Sequence, residues 1–270
     1  LPATLKTTPP PIITNIYSTL FAFAALDMTG KVHVWGRDNY GGQLPATLDP
    51  DILNTTPPPK IRNIYSTNQA FAALDVTGKV HVWGVGLEGQ LPDILDPAID
   101  PANDPPKITN IYSAYYAFAA LDVTRKVHVW GNTIYGGQLP LTLTNSTITQ
   151  MFSASFAFTA LTSDHRVVKW GLEDYDNIGQ DSTGEEVNVI YNVKTMSING
   201  DTVTATHMDG STIEWGNDSS SNNNEIHEKY LTRELTVGTA SDSEVGTAPA
   251  SASEVGTVVD CELGSWTDWG

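Results

Sequence analysis

The chain has 270 residues, with 14 Lys and Arg against 31 Asp and Glu, a formal charge of −17. Nucleic acid and anionic membrane surfaces both call for clustered basic residues, so this balance argues against either as a partner. It suits solubility, cations or basic proteins, and no apolar run reaches the roughly 20 residues a membrane-crossing helix needs.

The first residues repeat later text. Leu1-Pro2-Ala3-Thr4-Leu5 recurs as Leu44 to Leu48, and Thr7 to Pro11 recurs as Thr55 to Pro59. They read as the tail of a repeat, and at least one more unit is expected ahead of them. Ile13 to Ser18 then opens a plan written four times, with copies at Ile61, Ile108 and Ile148. Its apolar positions suit a strand with one buried face. Ala22 to Leu26, matched at Ala70, Ala117 and Ala157, is an apolar run of strand length, expected as an inner strand packed on both faces.

A turn follows, Asp27-Met28-Thr29-Gly30 and Asp75 to Gly78, with Asp209-Gly210 as a worn copy. Asp caps such a turn through its carboxylate and Gly supplies positive φ. Arg125 and His165 occupy the Gly position in the third and fourth copies. Each is expected to carry a strain of about 1 kcal/mol or more if the turn is kept. The next strand reads Lys31-Val32-His33-Val34-Trp35-Gly36, with copies ending at Trp83, Trp130, Trp170 and Trp215, at intervals of 48, 47, 40 and 45 residues. Alternation puts Val32 and Val34 on one face, His33 and Trp35 on the other. The five tryptophans are the expected blade anchors. A period of this size marks propeller-type repeats of about four strands.

After Trp-Gly the copies diverge, then reconverge on Gly42-Gln43-Leu44-Pro45, Gly89 to Pro92 and Gly137 to Pro140. Proline-rich linkers join the early repeats as extended connections. Asn217 to Asn224 is all Asn, Asp and Ser, a loop composition. Lys229 to Val237 has the length of one more strand. A low-complexity spacer follows, and the chain ends on Asp260-Cys261-Glu262-Leu263-Gly264-Ser265-Trp266-Thr267-Asp268-Trp269-Gly270.

The order strand, apolar strand, D-x-T-G turn, K-V-x-V-W-G, then G-Q-L resembles the regulator of chromosome condensation family of β-propeller repeats, over about Ile12 to Gly216. The resemblance implies an all-β chain, a β-propeller of tandem four-stranded blades. Gln-Leu-Pro replaces that family's usual G-Q-L-G ending. The last eleven residues resemble the opening of a thrombospondin type 1 repeat, a cysteine followed by W-x-x-W. That second resemblance implies an extracellular module, a mannose on the indole of Trp266, and a disulfide from Cys261 to a later cysteine. The expected organisation is propeller repeats over 1–237, a flexible linker over 238–259, and the start of the small module over 260–270.

Candidate sites follow from residue chemistry. His33, His81 and His128 fall at equivalent positions and are expected to be structural, with no metal. Asp49, Asp51, Asp93, Asp96, Asp100 and Asp104 lie in linkers, and Ca²⁺ is the ion their oxygens suit. Their spacing fits no EF-hand loop, so solvated acidic loops and no cofactor are expected. No Gly-x-Ser-x-Gly, phosphate loop or cysteine with a base occurs, so the chain is expected to be non-catalytic. Asn54, Asn145 and Asn217 open Asn-x-Ser/Thr sequons, where N-glycans attach in secreted proteins. Tyr40, Tyr115, Tyr116, Tyr135 and Tyr175 are the expected partner contacts, since tyrosine offers area with a polar tip.

The functional expectation is a secreted or cell-surface structural glycoprotein that self-assembles or binds proteins, in a filament, coat or surface hair. The competing expectation is an intracellular propeller scaffold or guanine-nucleotide exchange factor of the chromosome-condensation-regulator type.

Overall fold

The computed structural model describes residues 3–49, 58–96, 105–172, 189–199 and 202–215. By contact the chain divides into two units, Leu1–Leu231 and Thr232–Gly270, the second wholly outside the described residues. The described part is all-β, without an α-helix, and forms five antiparallel sheets of the propeller-blade type. Blade 1 holds β1 (Ile13–Ser18), β2 (Ala22–Asp27) and β3 (Val32–Gly36). Blade 2 holds β4 (Ile61–Ser66), β5 (Ala70–Asp75) and β6 (Val80–Gly84). Blade 3 holds β7 (Ile108–Ser113), β8 (Ala117–Asp122) and β9 (Val127–Gly131). Blade 4 adds β13 (Val189–Ile190) to β10 (Ile148–Ser153), β11 (Ala157–Thr162) and β12 (Val167–Gly171). Blade 5 holds β14 (Val193–Asn199), β15 (Thr202–His207) and β16 (Thr212–Trp215).

Sequence predicts four strands per blade; four of the five described sheets have three, and only blade 4 has a fourth. For blades 1 to 3 the reason lies after Trp-Gly. There the chain enters a 3-10 turn at Asp38–Tyr40, Leu87–Gly89 or Thr133–Tyr135, and Pro92 and Pro140 lead into further 3-10 turns at Asp93–Leu95 and Leu141–Leu143. Proline has no N–H to give a ladder, so this segment cannot add a regular strand beside the third.

The first strand of every blade carries a bulge at one position, between Ile13 and Asn15, Ile61 and Asn63, Ile108 and Asn110, Ile148 and Gln150, and Val193 and Thr195. Two isoleucines three apart would point to opposite faces of a regular strand. The extra residue brings Ile61 and Ile64 onto one side, both buried. Where that residue is threonine its hydroxyl donates to the partner strand, Thr14 to the Leu26 carbonyl at 3.0 Å and Thr109 to Leu121 at 2.8 Å.

The cores lie between blades. Ala22, Ala24, Leu26 and Val32 of blade 1 pack on Ile64, Phe71, Ala73 and Trp83 of blade 2. Blade 2 meets blade 3 through Ala70, Ala72 and Leu74 against Phe118 and Trp130, and blade 3 meets blade 4 through Ala117, Ala119 and Leu121 against Phe158 and Trp170. Blades 1 to 3 thus have a trailing face of Ala, Ala, Leu and Val, and blades 2 to 4 meet it with a leading face built on a Phe–Trp pair. Identical sequence repeats allow this because small side chains on one face leave the groove that large ones on the other fill.

Candidate interaction surface

One end of each blade is closed by the Asp turn. Asp27 Oδ1 accepts from Thr29 N at 2.8 Å, Thr29 Oγ1 at 2.6 Å and Lys31 N at 3.0 Å. Its other oxygen lies 3.0 Å from His33 Nε2, and the same buried pair recurs as Asp75–His81 at 3.5 Å and Asp122–His128 at 2.8 Å. Burial alone would raise the Asp27 carboxyl; the donors from Thr29, His33 and Lys31 outweigh it and bring the pKa to about 2. Asp75 and Asp122 are lowered by the same balance, and burial holds His81 below its ordinary value against the pull of Asp75. Each histidine is therefore engaged by its own blade's aspartate. Among the described residues no three His, Cys, Asp or Glu side chains are grouped to hold a metal, and Asp51, Asp100 and Asp104 lie outside them. Arg125 and His165 keep the turn with φ of 67° and 66°, so the expected backbone strain is present.

The opposite end is organised by the Trp-Gly pair. Gly84 has φ of 129°, and a Cβ there would lie 2.4 Å from the Gln69 carbonyl oxygen. Only glycine lets the third strand pass this close to the loop joining the first two. The glycine after the 3-10 turn serves the next blade. Gly41 and Gly136 lie against Phe71 and Phe158, and their carbonyls accept the indole N–H of Trp83 and Trp170, each at 3.1 Å. Trp130 donates in the same way to the Glu88 carbonyl at 3.1 Å.

The loops between first and second strands are joined from blade to blade. Leu20 N donates to Asn68 O at 2.9 Å, Asn68 N to Tyr115 O at 3.0 Å, and Tyr115 N to Ser155 O at 2.7 Å. Along this ladder the repeats stop agreeing: Leu20-Phe21, Asn68-Gln69, Tyr115-Tyr116 and Ser155-Phe156 occupy equivalent places. Leu20, Phe21 and Tyr115 are exposed. A backbone fixed by hydrogen bonds thus presents different side chains in sequence, backed by the variable segment after Trp-Gly.

This ridge holds four of the predicted tyrosines. Tyr115 and Tyr116 meet edge to face at 4.7 Å between ring centres, Tyr116 and Tyr135 at 5.0 Å, and Phe156 of blade 4 approaches Tyr115 at 5.1 Å. Tyr40 sits at the blade 1 position, edge to face with Phe21 at 4.7 Å, and the Arg37 guanidinium lies 5.3 Å over the Tyr40 ring and 5.7 Å over that of Phe21. Tyr40 and Tyr135 are also partly buried against the interblade cores. Sequence reading missed Leu20, Phe21 and Phe156; the signal was available as the dipeptide between the first two strands, which changes in every copy. Asn145 is exposed, in the turn before β10. Tyr175, Asn54, Asn217, Cys261 and Trp266 lie outside the described residues. Among the anchors, Trp83, Trp130, Trp170 and Trp215 are buried, and Trp35 is half-buried.

No known family profile and no curated protein sequence matches the chain. Solved structures do. The ectodomain of the Physcomitrella patens receptor kinase CR4 is 14% identical, with 77% of this chain covering 53% of that one at a TM-score of 0.45. Prp20p from Saccharomyces cerevisiae, described with its binding to Gsp1p and histones, is 19% identical over 76% of this chain and 57% of that one, at 0.48. The ectodomain of the Arabidopsis thaliana receptor kinase ACR4 is 15% identical over 77% and 69%, at 0.44. The chain thus spans a little over half the length of the first two. Among the described residues no helix is long and apolar enough to cross a membrane.

Proposed function

We propose that the chain is the non-catalytic propeller-repeat part of a secreted or cell-surface structural glycoprotein, working in extracellular assembly or adhesion. The observation that carries this is the variable ridge: Leu20-Phe21 and Tyr115-Tyr116 stand exposed or half-exposed on a hydrogen-bonded backbone, in repeats that are otherwise near duplicates. Large apolar and aromatic side chains on rigid supports are what protein contacts use, and stacked repeats offer them at regular intervals. The reading takes the repeats to end near residue 237, with a flexible linker over 238–259 and a thrombospondin-like module beginning at Asp260. Secretion follows from that module and from the sequons, of which Asn145-Ser146-Thr147 has an exposed acceptor.

Sedimentation of the 270-residue chain over a wide concentration range tests the assembly reading. Assembly is expected, and replacing Leu20, Phe21, Tyr115 and Tyr116 by Ser is expected to weaken it about tenfold or more with the melting curve little changed. A chain that stays monomeric, or assembles regardless of those four residues, contradicts it. Peptide masses from the natural source test the compartment: a hexose on Trp266, a disulfide at Cys261 and a glycan on Asn145 are expected. Bare Asn145 and Trp266 beside a free Cys261 thiol would point to the intracellular scaffold or exchange-factor reading instead.

A further inference from the structure

The Asp-turn end of the blades carries side chains that the turns themselves do not need. The second residue of each turn is held by its backbone, whose N–H donates to the residue just ahead of or opening the first strand. Met28 donates to Ile12 at 2.9 Å, Val76 to Lys60 at 3.0 Å, Val123 to Lys107 at 2.9 Å and Met208 to Asn192 at 2.9 Å. In blade 4 Ser163 makes the same bond to Thr147 at 2.8 Å, so a polar side chain serves the turn equally well. Yet Met28, Val76, Val123 and Met208 stand between 51% and 62% exposed. They recur at one place on one end of four blades, so they form a row, where single scattered apolar residues would need no account.

The same end collects cations. Lys31, Lys79 and Lys126 follow the turns, Lys60 and Lys107 precede the first strands of blades 2 and 3, and Arg125 holds the glycine place in blade 3; all six are exposed. Among the described residues none of the six forms an ion pair. The turn carboxylates Asp27, Asp75 and Asp122 are buried beneath them, each bonded to its own turn and histidine. Exposed acids enter the turns only in blades 4 and 5, as Asp164, paired with Arg166 at 2.7 Å, and Asp209. The six come from the chain's 14 Lys and Arg, which leaves eight for the remainder of a chain with 31 Asp and Glu. Over blades 1 to 3 the turn end is thus a basic and apolar surface on an acidic protein.

The turns are also tied from blade to blade: Ile61 N donates to Gly30 O at 2.8 Å, Ile108 N to Gly78 O at 2.9 Å and Ile148 N to Arg125 O at 2.9 Å. The aromatic ridge is tied in the same manner at the opposite end, so both rows advance one step per blade. We infer that the turn end of one copy docks on the ridge of a second copy, head to tail. The equal interval lets successive turns meet successive loops. Met and Val knobs bury against the exposed rings of Phe21 and Tyr115, and Lys and Arg suit the faces of such rings. The six cations meet the acid excess of the partner copy. A contact between two unlike faces leaves each copy with one of each free, so it propagates into a filament or a ring. This docking rests on the assembly proposed above and adds which two faces meet.

Sedimentation of two variants of the 270-residue chain, alone and mixed, tests it. The turn-end variant carries Val76→Ser, Val123→Ser, Lys79→Glu and Lys126→Glu; the ridge variant has Leu20, Phe21, Tyr115 and Tyr116 replaced by Ser. Each alone is expected to associate about tenfold or more weakly than the unaltered chain. Mixed in equal amounts they are expected to form one-to-one pairs and nothing larger, because the first keeps a sound ridge and the second a sound turn end. A turn-end variant that assembles like the unaltered chain, or a mixture that forms no pairs, overturns the inference and leaves the assembly reading standing. An unaltered chain that stays monomeric removes both. If the charge reversals lower the melting midpoint, Lys79→Gln and Lys126→Gln take their place with the same outcomes expected. Binding of the unaltered chain to vesicles of anionic lipid, lost in the turn-end variant while assembly persists, also overturns the inference and assigns this end to a membrane surface.

Discussion

Trp83 shows how one side chain serves two blades. Its ring stacks on Phe71 in its own sheet, and its N–H donates to Gly41 of the blade before, in a core with Ala22 and Ala24. Trp83→Ala removes the ring and orphans the Gly41 carbonyl, a loss of about 3–5 kcal/mol. A thermal or urea melt checks it, and an unchanged curve would place Trp83 at the surface. Glu88 is the opposite case: its main-chain carbonyl accepts from the next blade's Trp130, while its carboxyl is buried and pushed up by that burial. A raised acid stabilises the fold below its unfolded pKa of about 4.3, and the contribution is lost as pH rises through the folded value. Glu88→Gln is therefore expected to raise the melting midpoint at pH 7, with the gain fading toward pH 4. An equal shift at both pH values would show that charge burial is not the cause.

At the scale of elements the Asp turn decides acid behaviour. Asp27, Asp75 and Asp122 are held below the ordinary carboxylate range by the donors around them. Depressed acids stabilise the fold above their unfolded pKa of about 3.9, and that contribution is lost as pH falls through the folded value, about 2 for Asp27. Asp27→Asn should cost about 1–3 kcal/mol at neutral pH, as a charge-assisted cap is lost, and progressively less between pH 4 and 2. Melting midpoints across that window check the sign; a constant difference contradicts it. This turn, the two strands it joins and their facing were legible because the chain repeats them, and repetition separates what the blade needs from what it tolerates. The bulge was not legible, since Ile13 and Ile16 suit either a helix-like spacing or a strand with one residue too many. Nor was the absence, among the described residues, of a fourth strand in blades 1 to 3, which depends on where proline turns the chain after Trp-Gly. The loop ladder needed coordinates, because its bonds join segments some 40–48 residues apart by backbone alone.

Across the whole stack, stability resides between blades, so identical sequence should behave differently according to its neighbours. The hexapeptide Ala-Phe-Ala-Ala-Leu-Asp occurs unchanged at 22–27, 70–75 and 117–122, as the central strands β2, β5 and β8. Phe71 and Phe118 are fully covered by the preceding blade, and Phe23 is not. Hydrogen exchange on these three copies, whose internal residues give nearly the same unfolded-state rates, reads the interblade contribution directly. Slow exchange in β5 and β8, with β2 exchanging clearly faster, is the expected result. Equal protection in all three copies would contradict the account, because each blade would then hold itself together without the next.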